Sequence, residues 1–112
     1  MSRLNLEDNR IDRPFIASKL KMQPLVQTLG AQFAMDADMP PLLFLDPGGA
    51  GRDVLLPPEE AGLMYCIVNT ADAAETLTVK EDSDTTTIGA LAQNEAAWYA
   101  CDGTTWHRVT SP

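Results

Sequence analysis

A regular alternation of short apolar segments and turn residues runs through the last two thirds of the chain and limits it to a β-rich fold. Segments with strand character follow one another with turns about every ten residues, and no strong helical repeat interrupts them. This rhythm predicts an all-β fold, either a small antiparallel β-barrel or a sandwich. The predicted strands cover residues 42–45, 52–56, 63–69, 76–80, 85–91, 96–101 and 104–109.

Two of these segments differ in how apolar residues are distributed. Residues 63–69 are apolar on both faces, which predicts a central strand covered on each side. Residues 76–80 alternate instead, with Leu77 and Val79 on one face and threonines on the other. The second pattern is typical of a strand with one solvated face.

The last two strands flank Asp102-Gly103, a dipeptide suited to a two-residue type I′ hairpin turn. That turn predicts a register in which Tyr99 pairs with Trp106 and Trp98 pairs with His107. Adjacent residues of one regular strand point to opposite sides, so Trp98 and Tyr99 cannot both point inward. We therefore expect a subunit or ligand contact among Trp98, Tyr99 and Trp106.

Residues 1–39 lack this rhythm and are predicted to form an extended N-terminal arm that becomes ordered on binding. Pro24 interrupts any helix begun near Pro14, and residues 25–35 show no clear period. Met39-Pro40-Pro41 marks the predicted boundary with a compact β domain over residues 40–112.

Charge is divided between the same two regions. Residues 1–24 hold five cationic and three acidic residues, so their formal charge is +5 − 3 = +2. Residues 25–112 hold three cationic and thirteen acidic residues, which gives 3 − 13 = −10. The asymmetry predicts an arm that docks on a partner and a body that faces solvent. An acidic body repels phosphate, so nucleic acid is not an expected partner.

The sequence also predicts neither membrane insertion nor secretion. No apolar run approaches the length that spans a bilayer, and the first residues lack the apolar core of a signal peptide. We expect synthesis in a cytoplasm.

No catalytic, cofactor or metal site is predicted. Cys66 and Cys101 are interpreted as reduced strand residues, and with His107 they match no common zinc pattern. The glycine-rich residues 46–51 are followed by a strand rather than by a helix and a Lys-Ser/Thr pair, which predicts a hairpin turn rather than a phosphate loop. Residues 81–84 lack the glycine and glutamate positions of a calcium loop and are interpreted as a solvated turn. The chain is therefore not expected to be an enzyme.

Several stretches of the body resemble small virion proteins of tailed bacteriophages, most closely head decoration (cement) proteins. They are LDPGGAGRDVLLP at 45–57, IVNTADAAETLTVK at 67–80, Asn94-Glu95, and CDGTTW at 101–106. The resemblance covers about residues 42–109 and rests on turn and strand patterns. It implies a β-tulip-like body behind an N-terminal arm. It also implies a virion protein on the outer capsid surface that stabilises the head as a homotrimer bridging subunits of the major capsid protein.

Within that interpretation, the arm would dock on the capsid. Its cationic residues would meet acidic capsid surface, and its apolar residues would fill apolar grooves. The cationic set is Arg3, Arg10, Arg13, Lys19 and Lys21, and the apolar set is Phe15, Ile16, Leu25, Val26, Leu29 and Phe33.

A different class of function stays open. Related β-rich modules occur in phage tail and fibre proteins, and such a module would bind a cell-surface glycan. Trp98 or Trp106 would then stack on sugar.

Overall fold

The chain forms nine β-strands and no helix over residues 21–109, the part that the computed structural model describes. The prediction of an all-β fold is therefore confirmed. The strands are β1 (Leu25–Thr28), β2 (Phe33–Ala34), β3 (Leu42–Asp46), β4 (Arg52–Leu55), β5 (Met64–Asn69), β6 (Leu77–Lys80), β7 (Thr87–Leu91), β8 (Ala96–Cys101) and β9 (Trp106–Val109).

The strands form two sheets that pack against a common core. One sheet has five strands in the order β1-β3-β5-β8-β9, and the other has four in the order β2-β4-β6-β7. Two separate sheets exclude the closed barrel, and β5 is central in its sheet, as its sequence predicts. The alternating residues of both sheets meet between them. The most completely buried of these are Leu43, Leu45, Ile67 and Tyr99 from the five-stranded sheet and Val54, Leu77, Val79 and Leu91 from the four-stranded sheet.

The prediction that the strands are antiparallel throughout was wrong, because both sheets are mixed. β1, β3 and β5 are parallel neighbours, as are β2, β4 and β6, whereas β6–β7, β5–β8 and β8–β9 are antiparallel. From β1 to β6 the chain changes sheet after every strand. A parallel pair needs a long crossover, and here each crossover is a strand of the opposite sheet.

The glycine-rich turn at residues 46–51 is one of the connections that lead from one sheet to the other. It joins β3 to β4 across the sandwich and is not a hairpin turn. Gly48 has φ 77°, and a Cβ at this position would lie 2.3 Å from the carbonyl oxygen of Leu29. Only glycine fits this close approach without strain. Turn chemistry thus shows where the chain reverses but not which sheet it joins next.

Residues 25–35 belong to the folded body, although we predicted them to be part of the arm. β1 lies beside β3 and β2 lies beside β4, each in parallel. Leu29 and Met35 are buried, and their amides donate to the carbonyl oxygens of Asp46 (2.7 Å) and Leu55 (2.9 Å). Strands of four and two residues are too short to show a period, so the sequence pattern missed them. Residues 1–20 lie outside the described residues.

A buried asparagine ties the two sheets together at the end of β5. The Asn69 side-chain nitrogen donates to the carbonyl oxygens of Glu75 and Leu91, both at 2.9 Å. Its side-chain oxygen accepts from the amide of Ala71, also at 2.9 Å. Because Leu91 belongs to β7, this amide links one sheet to the other with its polar atoms satisfied.

The hairpin of β8 and β9 forms, but its register differs from the predicted one. Cys101 pairs with Trp106 and Tyr99 with Arg108, so the loop contains four residues instead of two. The Asp102 carboxylate accepts from the amides of Thr104 (2.9 Å) and Thr105 (2.8 Å), which stabilises the longer loop. A shift by two residues leaves each side chain on its expected side of the sheet.

Candidate interaction surface

The outer side of the five-stranded sheet is apolar across all five strands. Its side chains alternate along each strand with the buried ones, so their direction follows from the pleat. We call this surface the apolar face. It consists of Val26, Leu42, Phe44, Met64, Cys66, Val68, Ala96, Trp98, Ala100 and Val109.

Strand register places these side chains in contiguous cross-strand rows. One row runs through Val26, Phe44, Val68 and Ala96, the next through Leu42, Cys66, Trp98 and Val109, and a third through Met64 and Ala100 to His107. Directly opposed side chains on one side of a sheet lie close enough to touch. The apolar face is therefore one continuous surface.

The most exposed large hydrophobic side chains of the described chain all lie on this face. Their exposed fractions are 72% for Val26, 54% for Val109, 51% for Met64 and 38% for Trp98. Single exposed apolar residues are ordinary on protein surfaces, whereas a contiguous apolar patch marks a place where another molecule binds.

Charge is nearly absent from the face. Among the described residues of these strands, the other outward positions are Thr28, Asp46 and His107, and Asp46 stands at the margin where β3 ends. The other acidic residues of the described body lie in turns and loops, except Asp53, which is on β4 of the opposite sheet. Depletion of charge is the feature that distinguishes the centre of a protein–protein interface from the remaining surface.

The three aromatic residues of the predicted contact lie on different sides of the sheet. Trp98 lies on the apolar face, whereas Tyr99 and Trp106 are buried in the core. The Trp106 indole donates to the carbonyl oxygen of Pro57 at 3.0 Å and packs 6.1 Å from the ring centroid of Tyr65. Only Trp98 of the three is thus available to a partner, and the three do not form one platform.

The predicted arm residues fall in different places. Val26 is on the apolar face and Lys21 is exposed, whereas Leu29 is in the core. Leu25 and Phe33 are partly buried against the core. Leu29 has no exposed surface to offer a groove on another protein. The remaining members, Arg3, Arg10, Arg13, Phe15, Ile16 and Lys19, lie outside the described residues.

Sequence reasoning missed most of the apolar face, although the signal was present. Leu42 and Phe44 alternate with core residues in β3, and Met64, Cys66 and Val68 do so in β5. We interpreted a strand that is apolar on both sides as one covered on both sides. In the structure the second side of these strands is the apolar face.

Two groups of acidic residues bring carboxylate oxygens within 4.8 Å of one another. They are Asp46 with Asp72 and Glu75, and Glu59 with Glu81 and Asp82. In the first group, Asp46 accepts from the amide of Gly48 (2.9 Å) and Glu75 from the amide of Gly49 (3.1 Å). These carboxylates order the glycine-rich turn.

Glu81 has a similar role in the turn between β6 and β7. Its carboxylate accepts from the hydroxyl of Ser83, from the Thr85 hydroxyl (2.7 Å), and from the amides of Thr85 (3.0 Å), Thr86 (3.1 Å) and Ser83 (3.2 Å). These hydrogen bonds, that of the Ser83 hydroxyl first, lower the pKa of Glu81 to about 2. The carboxylate is a cap for the turn.

The cysteines do not form an activated nucleophile. Both are free, with Cys101 buried in the core and Cys66 on the apolar face beside Trp98. Burial raises the pKa of the Cys66 thiol, which is the opposite of what a nucleophilic cysteine needs. His107 instead contacts Asp102, with 3.0 Å between the Nε2 and Oδ2 atoms.

One buried polar atom is unpaired within the described part of the chain. The Tyr99 hydroxyl is enclosed in the core without a hydrogen-bond partner. Its removal from solvent raises the pKa of Tyr99 to about 12. Arg108, opposite Tyr99 on β9, lies across Gly89 of β7, where an added Cβ would lie 2.7 Å from the arginine Cδ. Arg108 thus covers the edge of the core between the two sheets.

No protein-family model, curated protein sequence or solved structure matches the chain. The described residues contain no helix long and apolar enough to cross a membrane.

Proposed function

We propose that this chain is a structural protein that decorates and stabilises the capsid of a tailed bacteriophage, bridging major capsid subunits as a trimer. The observation that carries the proposal is the apolar face, a continuous and nearly uncharged surface on an otherwise acidic body. A surface of this kind suits permanent contact with protein, here between the copies that form the trimer, while the N-terminal arm contacts the capsid. The phage context comes from the resemblance of the turns and strands within residues 42–109.

The construction of the body is consistent with a passive, stabilising role. Asn69 holds the two sheets together, and Glu81 and Asp102 fix their turns. A rigid sheet loses little conformational entropy when it is covered, so more of the contact energy remains for binding. The shell gains interface at junctions where its subunits are most easily separated.

Charge placement fits the same role. The acidic turns and the outer side of the four-stranded sheet would face solvent, and a particle covered with such bodies would repel its neighbours. The cationic residues of the first 24 positions would contact acidic capsid surface. Several weak contacts held in one assembly reinforce one another through effective concentration.

The test is co-sedimentation of the purified protein with undecorated phage heads, with bound protein quantified per capsid subunit. We expect saturable binding near one copy per capsid subunit. Reversing charge at Arg10, Arg13 and Lys19 by substitution with Glu should weaken binding while the unfolding midpoint of the body is unchanged. Absence of saturable binding by the unaltered protein would contradict the proposal.

A tail or fibre module that binds a glycan is the second candidate, favoured by one observation. Trp98 is accessible and lies on a flat surface, as a sugar-stacking residue must. Its cross-strand neighbours are Cys66 and Val109, however, and sugar recognition also needs polar groups to bind hydroxyls. Saturable glycan binding that is lost in Trp98→Ala, without binding to heads, would select this function.

A further inference from the structure

We infer that the apolar face is the surface through which copies of this chain associate with one another, before and independently of any capsid. The occupant of the face is thus the same face of other copies. The apolar face is thus the contact surface between the copies of the proposed trimer. Only the number of copies, three, rests on the proposed function.

The charge of the chain is the first argument for a second copy. Two bodies that each carry many acidic residues repel each other over most of their surfaces. On the described chain the apolar face is an extended area where copies can meet without apposing carboxylates. The same acidic bodies then point away from the contact and keep the assembly soluble.

The dimensions of the face are the second argument. No row spans more than four strands, which lie about 4.8 Å apart, and the ten apolar positions in the three rows give an area of roughly 330 Å². This is in the range of the largest apolar patches on protein surfaces, which often have a function. It can form the apolar centre of an interface in which a polar rim supplies the rest of the roughly 800 Å² that each partner buries.

The same dimensions suit three copies around an axis. Three faces roughly 19 Å wide, arranged as a triangular prism, each lie about 5.5 Å from the common axis. Side chains on packed sheets fill about 5 Å on their own side, and large ones such as those of Phe44, Met64 and Trp98 reach further. Three faces therefore enclose a volume that their own side chains can fill.

Trp98 is the expected anchor of the contact. It lies in the middle row on β8, between Cys66 of β5 and Val109 of β9, and it is the largest side chain on the face. Buried tryptophans surrounded by smaller apolar groups often carry much of the energy of an interface. Trp106 is enclosed in the core of each copy and does not take part.

The experiment is sedimentation equilibrium of the full-length protein in the absence of capsids, over a wide range of concentrations. The variants are Met64→Lys and Val109→Lys, because both side chains are more than half exposed in the single chain and their replacement leaves the core intact. Thr87→Lys on the outer side of the four-stranded sheet is the matched control, with the same added charge at an exposed strand position. Circular dichroism and unfolding midpoints check that all variants fold.

We expect the unaltered protein and Thr87→Lys to associate at similar concentrations. Each face variant should need a concentration at least about tenfold higher for the same degree of association, because the added charge must be desolvated in every copy. Acrylamide quenching gives an independent measurement on the same samples. Trp98 should be shielded from acrylamide in the assembly and become accessible on dilution. The Trp98→Phe variant gives the fluorescence of Trp106 alone, which should not change with concentration.

Two outcomes would overturn the inference. The unaltered protein could stay monomeric at every concentration, with Trp98 either accessible or shielded by the chain's own residues. Alternatively, the face variants could associate as strongly as Thr87→Lys. Because no capsid is present, failure of head binding leaves this result intact, so the inference and the proposed function fail separately.

Discussion

The two sheets share one core but differ on their outer sides. The five-stranded sheet presents the apolar face, whereas the four-stranded sheet presents a charged network. There Lys80 lies 3.3 Å from Asp53 and 3.1 Å from Asp84, and hydrogen bonds to Asp84 and Asp53 raise the pKa of Lys80. The core requires the same alternation from both sheets, so it does not explain this difference. The residues at the outer positions differ because the outer sides of the two sheets have different surroundings.

The largest expected effect is a loss of stability when a core residue of β5 is replaced, and it is compared with a replacement on the outer side of the same strand. Ile67 is buried in the core and its neighbour Val68 lies on the apolar face. Ile67→Ala should lower the free energy of unfolding by about 3 kcal/mol, because it removes buried methyl groups and leaves a cavity. Chemical denaturation measures the loss.

Val68→Ala is the matched substitution on the outer side. At concentrations where the protein is monomeric it should cost less than 1 kcal/mol, since the side chain is only partly buried. Equal losses for the two variants would show that the apolar face is covered by the chain itself and would remove the contrast between the sides of this sheet.

The next effect concerns the turn that carries the chain from one sheet to the other. Gly48→Ala should cost about 2 kcal/mol, because alanine is strained at positive φ and its Cβ would collide with the Leu29 carbonyl. Gly30→Ala is the control, since Gly30 has no atom within 4 Å of an added Cβ and no positive φ. Thermal unfolding of both variants would measure the difference, and similar midpoints would contradict the described approach of the turn to β1.

A smaller effect of opposite sign is expected in the core. Tyr99→Phe should raise the free energy of unfolding by about 1 kcal/mol, because it removes a buried hydroxyl that has no partner among the described residues. Denaturation at neutral pH tests this. A loss of stability would mean that the hydroxyl is paired in solution, for example with a water molecule.

The smallest expected effect is a pH dependence of stability. It arises from one carboxylate in a turn of each sheet. Hydrogen bonds lower the pKa of Glu81 to about 2, and backbone hydrogen bonds from Thr105, then the contact with His107, lower that of Asp102 to about 2. A carboxyl group whose pKa is lower in the folded state stabilises the fold above its unfolded pKa, near 4, and loses that contribution as pH falls toward 2. Unfolding midpoints should therefore decline over this interval.

Glu81→Gln should flatten that decline, whereas Asp82→Asn, in the same turn but outside this set of hydrogen bonds, should leave it unchanged. An identical pH profile for Glu81→Gln and the unaltered protein would contradict the role of Glu81 as the cap.

The sequence predicts the strands of residues 42–109 well because each is bounded by turn residues and carries a readable pattern. It does not predict their pairing, because the Pro-Gly-Gly turn after Asp46 has the same chemistry whether the chain stays in one sheet or changes to the other. The short β1 and β2 carry no period at all. The shifted register of the last hairpin depends on the Asp102 side chain, which competes with the two-residue turn.

The apolar face was the least predictable feature, for a physical reason. Apolar residues at Leu42, Phe44 and Val68 satisfy the same pattern whether the covering layer belongs to the same chain or to another one. Only the pairing of all five strands shows that these positions join Val26, far away in sequence, in one surface.

The alternation of the chain between the sheets also has a kinetic consequence. Each parallel pair needs a strand of the other sheet in its connection, and β5 gains its second neighbour only from β8. Each sheet contains one local hairpin, β6–β7 or β8–β9, but the other strands can join their sheet only through long connections. Folding must close several long loops before their contacts compensate for the lost entropy, so we expect a slow, all-or-none folding reaction. While it proceeds, the edges of unfinished strands are exposed, and partly folded chains can aggregate through them.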